Sequence, residues 1–320
     1  MTAGPGSAGI PVLDLGAYRS GDPAAAAALA RTLHIALVEV GFYFVTGHGV
    51  AWELVRSMFA QARRFHALPQ ARKAALPVTR QITGYVGLGS GTTRTTGLYD
   101  GTAANQVAAF LCKREEEGLN HWPEGLPGFR STVLAYMAEL DRLGQLLLPL
   151  YDMALGLPRG WLQPHFAPAD MHVRLAWYPP LPRGTASADG EAFGVAPHTD
   201  NAFLTFLPQN TQPGLWIRPD GSDWLEAPDL PGSFLINTGD ALRRWSGDRV
   251  LSTEHLVRNQ TGRERVAIPL FYGPRGDTLL DGWPGGPDDR AGRRHAPVTY
   301  GAYTQWFSDR TYWGDDSPMP

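Results

Sequence analysis

Three side chains in the second half of the chain have the types and spacing to hold a metal ion: His198, Asp200 and His255. The segment Ala196-Pro-His-Thr-Asp200 leads into the apolar run from Ala202 to Leu207. On an extended backbone side chains alternate between faces, so His198 and Asp200 point the same way. His255 lies far downstream in a second strand-like run, Thr253-Glu-His-Leu-Val257. Two neutral imidazoles and one carboxylate on one face of an octahedral ion leave the opposite positions open, the donor set of non-haem Fe(II) oxygenases. The spacing alone also fits surface or hydrogen-bonded core residues, and with 9 histidines in 320 residues a chance match is easy. The surrounding sequence has to decide.

The elements that must position these residues change character along the chain. The first half reads as strand, helix, strand, helix. Ile10–Leu15 is a short apolar strand. Asp22 is placed to cap a helix with Pro23 at its first position, and Gly41 to close it. Phe42–Val45 forms a second strand, and a helix follows from about 51 to 66. A longer helix spans about 128–155, where Val133, Met137, Leu140, Leu143, Leu147 and Leu150 make one apolar stripe. Pro149 inside that pattern should kink or shorten it.

Beyond Asp170, short β-branched and aromatic runs alternate with turn residues: 171–178, 203–207, 215–218, 233–237, 253–258 and 265–272. Such spacing predicts a β-sandwich or barrel. A C-terminal helix is expected over 300–312. Two Gly-rich stretches, 82–104 and 181–197, have the length of lids or irregular loops, and the Thr-rich part, 91–97, is a candidate cover for the site.

Composition narrows the partners. A net charge of -3 provides no large positive field, so nucleic acid and anionic membrane are not expected. The one cysteine, Cys112, excludes an internal disulfide and a thiolate metal cluster. The N-terminal residues lack the basic start and apolar run of a secretory signal. Arg31, His34 and Glu39 interrupt the apolar run from Pro23, so no membrane span is expected. A cytoplasmic enzyme acting on a small molecule, as a monomer or weak homodimer, is the expectation.

Short motifs in fixed order then tie the whole chain together. They begin with Ile10-Pro-Val-Leu-Asp-Leu15 and Glu39-Val-Gly-Phe-Tyr-Phe-Val-Thr-Gly-His-Gly-Val50. Phe65-His-Ala-Leu-Pro69 with Lys73, Gly84-Tyr85, and Asn120-His-Trp-Pro123 follow. The second half supplies Tyr178-Pro-Pro180, His198-Thr-Asp200, Asn237-Thr-Gly-Asp240, Ser252-Thr-Glu-His255 and Arg265-Val-Ala-Ile-Pro269. From Ile10 to Tyr312 the chain resembles the isopenicillin N synthase-like family of Fe(II)/2-oxoglutarate-dependent oxygenases.

The resemblance implies an α+β fold with a mainly β core, a distorted double-stranded β-helix (jelly roll) with flanking helices. It implies one oxygenase domain over 1–320: a mostly helical part at 1–170, the catalytic core at 171–275, and a C-terminal segment with a helix at 276–320. It carries His198, Asp200 and His255 over as iron ligands and gives His48 a structural role. Fe(II), 2-oxoglutarate and dioxygen are the implied cofactor and co-substrates. Arg265 and Tyr178 match the residues that bind the far carboxylate of 2-oxoglutarate, a task suited to the bidentate guanidinium.

Three positions depart from the family pattern: Ala267 stands where Ser is usual, Ala176 where Asn is common, and Leu256 where Arg is usual. A lost hydrogen bond to a charged group costs about 1.5–3 kcal/mol, enough to weaken co-substrate binding tenfold or more. An oxidase of the same fold that does not use 2-oxoglutarate, and a non-catalytic binding protein on this scaffold, are the competing readings. Asp200 argues against halogenation, which needs that ligand position free for chloride. The implied reaction couples decarboxylation of 2-oxoglutarate to hydroxylation, desaturation or cyclisation of a small metabolite. High Ala, Gly and Pro content suggests a bacterial source and specialised metabolism. For substrate contacts, Arg174 shares strand parity with Tyr178 and is expected to point into the barrel and meet an acidic substrate or Tyr178 itself, with Phe110 and Phe271 as lining candidates. Trp177, of opposite parity, is expected to face away from iron, and Phe193, Trp216 and Trp245 fit the core as readily as a pocket.

Overall fold

Helix signals in the first half are realised locally. The Asp22 carboxylate accepts a hydrogen bond from Ala24 N at 2.9 Å and Pro23 opens the helix Pro23–Ile35. A π-turn, Ala36–Val40, continues it until Gly41, at φ 72°, ends it. The computed structural model describes residues 9–90, 105–116, 118–187, 190–209, 212–219, 222–284, 294–315 and 317–319, so the Thr-rich 91–97 cover lies outside the described residues. By length and mean hydropathy (1.3) the segment Pro23–Val40 could cross a membrane, but its Leu33, Ala36 and Leu37 are buried against protein.

The core is a jelly-roll arrangement of two sheets. The nine-stranded sheet runs, edge to edge, through Val12–Asp14, Phe42–Thr46, Phe234–Thr238, Leu204–Pro208, Leu270–Gly273, Asp170–Tyr178, Ala108–Lys113 and Gly84–Val86, with Arg265–Ala267 also pairing Asp170–Tyr178. Leu225–Glu226, Leu215–Arg218, Glu254–Val257 and Val195–His198 form the four-stranded sheet that faces it. Pairing is antiparallel apart from Val12–Asp14 on Phe42–Thr46. The expected strand 265–272 is interrupted at Ile268-Pro269. Pro269 has no N–H for the ladder, yet its carbonyl accepts from Arg174 N at 2.9 Å and the register on either side is continuous.

Helices cover the outer face of the large sheet. Trp52–His66 packs on Phe129–Leu155, whose whole predicted stripe is buried. Pro149 does not shorten that helix, which runs to Leu155 and is closed by Gly156 in the left-handed region. Gly144 is where it comes closest to the sheet: a Cβ there would lie 2.5 Å from the Tyr272 ring. Tyr272 answers with hydrogen bonds to Asp141 and Gln145 of the same helix. The C-terminal helix, Tyr300–Trp313, begins at Thr299, whose hydroxyl accepts from Ala302 N.

Candidate active site

Cross-strand register brings the two imidazoles together. His198 ends the strand Val195–His198 and pairs directly with His255, their ring centroids 4.2 Å apart. Asp200 lies two residues past the strand, and its Oδ1 stands 3.8 Å from His198 Nε2 and 3.6 Å from His255 Nε2. One ligand atom from each of the three residues falls within 4.8 Å of the others, and all three side chains are largely enclosed.

Each ligand is held by its other polar atom. His198 Nδ1 lies 2.9 Å from Ala196 O and His255 Nδ1 lies 3.1 Å from Thr253 O. Donation to a carbonyl requires the proton on Nδ1, leaving the Nε2 lone pair facing Asp200. The Asp200 Oδ2 atom accepts from Thr205 Oγ1 at 2.6 Å and Asn237 Nδ2 at 2.7 Å, two residues paired across adjacent strands. Oδ1 therefore remains for an ion. Two nitrogens and one oxygen, all pre-aimed, fit Fe(II) with an open side.

The supports reach further back. Thr253 Oγ1 donates to Val40 O at 2.7 Å, at the end of the π-turn, so the first long helix fixes the carbonyl that orients His255. Gly41 makes this approach possible, because a Cβ there would sit 2.1 Å from Thr253 Oγ1. On the other side Asp240 N donates to Asp200 O at 2.7 Å, and the Thr199 hydroxyl donates to Asp240 at 2.9 Å.

Charge in the triad is strongly coupled. Burial, then neighbouring His255, lowers His198 to about 3, so its imidazole is neutral. Burial alone would raise the Asp200 pKa, but His255, His198 and the Asn237 hydrogen bond hold it well below the usual carboxylate range. Burial likewise works to lower His255, and the Asp200 carboxylate outweighs it, leaving His255 above its ordinary value.

Two chambers meet at the triad. The inner one runs from the triad to Tyr178, Arg265 and Ala267. Arg265 is 5% exposed, lies opposite Tyr178 in register, and has its guanidinium carbon 5.1 Å from the Tyr178 ring centroid. Its Nε and Nη1 are buried with no hydrogen-bond partner among the described residues, a costly arrangement unless a ligand answers it. Burial lowers the Arg265 pKa, with Tyr178 opposing. A buried guanidinium with donors to spare fits the far carboxylate of 2-oxoglutarate. Ala267 contributes only a methyl, and the Thr205 and Asn237 side chains nearby are committed to Asp200. The outer chamber touches His198 and Asp200 from the other direction and reaches the C-terminal helix at Phe307 and Tyr312.

Comparison with known proteins decides between the readings of this geometry. Residues 10–125 match the family described as the non-haem dioxygenase in morphine synthesis N-terminal domain, and residues 169–274 match the 2OG-Fe(II) oxygenase superfamily. The 2-oxoglutarate-dependent dioxygenase caaD of Aspergillus niger is 32% identical over 82% of this chain and 84% of its own length. The chain belongs to the 2OG-Fe(II) oxygenase superfamily. Validamycin A dioxygenase of Streptomyces hygroscopicus subsp. limoneus is 30% identical over 82% of this chain and 76% of its own. In fold, the chain superposes on a full-length Neurospora crassa protein solved in complex with alpha-KG and thymine, with a TM-score of 0.84 at 21% identity, covering 94% of this chain and 96% of that one. As a member of this superfamily the protein is an Fe(II)/2-oxoglutarate-dependent dioxygenase that uses dioxygen.

Most residues singled out from this oxygenase's sequence converge on the two chambers. Arg174 and Phe271 line both. Phe110 does not: it faces the opposite side of the sheet, 4.4 Å from Phe65 and 5.7 Å from Phe129, in the core under the helices. Its neighbour Leu111 lines the outer chamber instead, because alternation along Ala108–Lys113 puts odd positions inward. Trp177 faces outward as expected, stacked on His66 and bonded to Glu264. Phe193, Trp216 and Trp245 line neither chamber. His48 bridges Gly232 O and Val50 N, a structural role.

Sequence reasoning missed His172, Thr205 and Asn201. His172 shares the inward parity of Arg174 and Tyr178, which was visible. Its stacking on Phe271, at 4.4 Å, follows from a cross-strand register that was not.

Proposed function

We propose that this oxygenase hydroxylates a small organic molecule bound in the outer chamber, as a cytoplasmic enzyme of specialised metabolism. The meeting of the two chambers at the triad carries the reading: one side offers buried, unanswered arginine donors, and the other offers an apolar recess floored by His198 and Asp200. In such a layout co-substrate and substrate approach the same ion from different directions.

When bound, iron with 2-oxoglutarate and dioxygen supplies oxidising chemistry that yields succinate and carbon dioxide and attacks a substrate C–H bond. His198, His255 and Asp200 hold the ion, and Thr205 and Asn237 keep the Asp200 carboxylate turned toward it. Arg265 and Tyr178 bind and orient the co-substrate carboxylate. Val107, Leu111 and Phe271 line the outer recess with hydrocarbon and limit water there.

Anaerobic addition of Fe(II) and 2-oxoglutarate should give a visible metal-to-ligand charge-transfer band, and His198→Ala should abolish it while the protein stays folded. Turnover should form succinate in proportion to substrate oxidised. Substrate-dependent oxygen uptake with no 2-oxo acid present would overturn the reading.

A further inference from the structure

Among the described residues, one cation, Arg174, lines the outer chamber, and none of them forms a salt bridge with it. Among the described residues lining the two chambers, Arg174 and Arg265 are the only Lys or Arg side chains. A divalent iron, the Asp200 carboxylate, the two carboxylates of 2-oxoglutarate and the Arg265 guanidinium cancel. Arg174 is then a net positive charge beside the reacting centre. Its Nε is buried without a hydrogen-bond partner among the described residues, a donor that a ligand could answer.

The neighbours of Arg174 complete a polar corner rather than neutralise it. His172 is two residues away on the same strand, so both project into the barrel. The imidazole is stacked flat on Phe271, with an interplanar angle of 18°. Burial, Lys113 and Arg174 hold it down to about 3, so it is a neutral ring with one N–H to donate. Asn201, a largely buried amide, lines the same chamber. Hydrocarbon borders this corner: Leu111 is the cross-strand partner of Arg174, and Val107 and Phe307 line the same chamber.

We propose that the primary substrate is a small carboxylic acid whose carboxylate pairs with Arg174 and accepts from His172, while its hydrocarbon body lies along Phe271. This rests on the assignment of the outer chamber to substrate. A guanidinium and an imidazole N–H answer two oxygens of one anion, and the Phe271 ring gives the body a flat surface. Arg174 also borders the inner chamber, so a role toward 2-oxoglutarate is the alternative the test must separate.

The test is calorimetric binding to the anaerobic protein loaded with Fe(II) and 2-oxoglutarate. Phenylacetate, cinnamate and hexanoate are compared with phenylacetamide, cinnamamide and hexanamide, which keep the shape and lose the charge. At least one acid should bind about tenfold to a hundredfold tighter than its amide, the range for a charge-assisted hydrogen bond. Arg174→Gln should erase that preference, and His172→Phe, which keeps the stacking, should reduce it severalfold. The 2-oxoglutarate affinity, read from the charge-transfer band, should change less than about threefold in both variants.

Equal binding of every acid and amide overturns the proposal. So does an Arg174→Gln variant that loses 2-oxoglutarate affinity as steeply as acid affinity. A wild-type protein that shows the acid preference but no charge-transfer band retains the Arg174 subsite and sinks the co-substrate reading instead.

Discussion

Asn237 donates to the one Asp200 oxygen that faces away from both imidazoles. Together with Thr205 it leaves the carboxylate a single orientation, with Oδ1 presented to the ion. Supports of this kind commonly contribute about 10–100-fold to metal affinity. Asn237→Ala should therefore weaken Fe(II) binding by about that factor in anaerobic titration, and Thr205→Val should do so less. Unchanged affinity in the Asn237→Ala, Thr205→Val double variant would show that the carboxylate needs no such restraint.

Metal binding should be pH-dependent through His255. Its pKa is raised in the metal-free protein by Asp200, and the ion requires the neutral ring. Below that raised value each unit of pH should cost about tenfold in affinity, because one proton must be displaced. Above it the affinity should level off. His198, at about 3, stays neutral and adds no second proton at ordinary pH. Calorimetry of Mn(II) binding in buffers of different ionisation enthalpy counts the proton, and a count near zero at pH 6 would contradict this assignment.

Gly194 sets the position of Tyr178. A Cβ on Gly194 would stand 2.8 Å from Tyr178 Cδ1 and 3.0 Å from Val257 Cγ1. Gly194→Ala should displace the ring from Arg265 and raise the 2-oxoglutarate dissociation constant severalfold, with metal affinity retained. The charge-transfer band titrated with 2-oxoglutarate reads both.

Ala267 offers a gain-of-affinity experiment. Its methyl lines the inner chamber beside Arg265. Ala267→Ser adds a hydroxyl where a carboxylate should lie, and a hydrogen bond to a charged group is worth about 1.5–3 kcal/mol, or tenfold or more. Tighter 2-oxoglutarate binding is expected. No change would place the far carboxylate beyond reach of residue 267.

Stability away from the site is most sensitive at Gly144. The Tyr272 ring occupies the space a side chain would need, at 2.5 Å. Gly144→Ala should destabilise the fold by about 1–3 kcal/mol through overpacking, despite the better helix propensity of alanine. Denaturant unfolding measures this, and a stabilised variant would show that the helix can shift off the sheet at little cost.

Alternation in the sequence put His198 and Asp200 on one face, while His255, Tyr178 and Arg265 were singled out by the ordered motifs, and the fold brings all five around the inner chamber. Arg174 followed from the same parity. Phe110 was misplaced because its face depends on how Ala108–Lys113 pairs with Asp170–Tyr178, a long-range register that local pattern does not encode. His172 was overlooked for the same reason: its partner Phe271 is adjacent only across strands. The split at Pro269 could have been read from proline's missing donor. The tolerance of Pro149 could not, since burial of the helix's apolar face outweighs one lost hydrogen bond.

The strand Asp170–Tyr178 places Tyr178 in the inner chamber, His172 in the outer one and Arg174 in both, with only the methyl of Ala176 between Tyr178 and Arg174. Four residues of extended chain separate Tyr178 from Arg174 by roughly 13 Å. If 172 and 174 select the substrate and 178 serves 2-oxoglutarate, as proposed, one strand holds both tasks at separate positions, so each can be altered by substitution without moving the other.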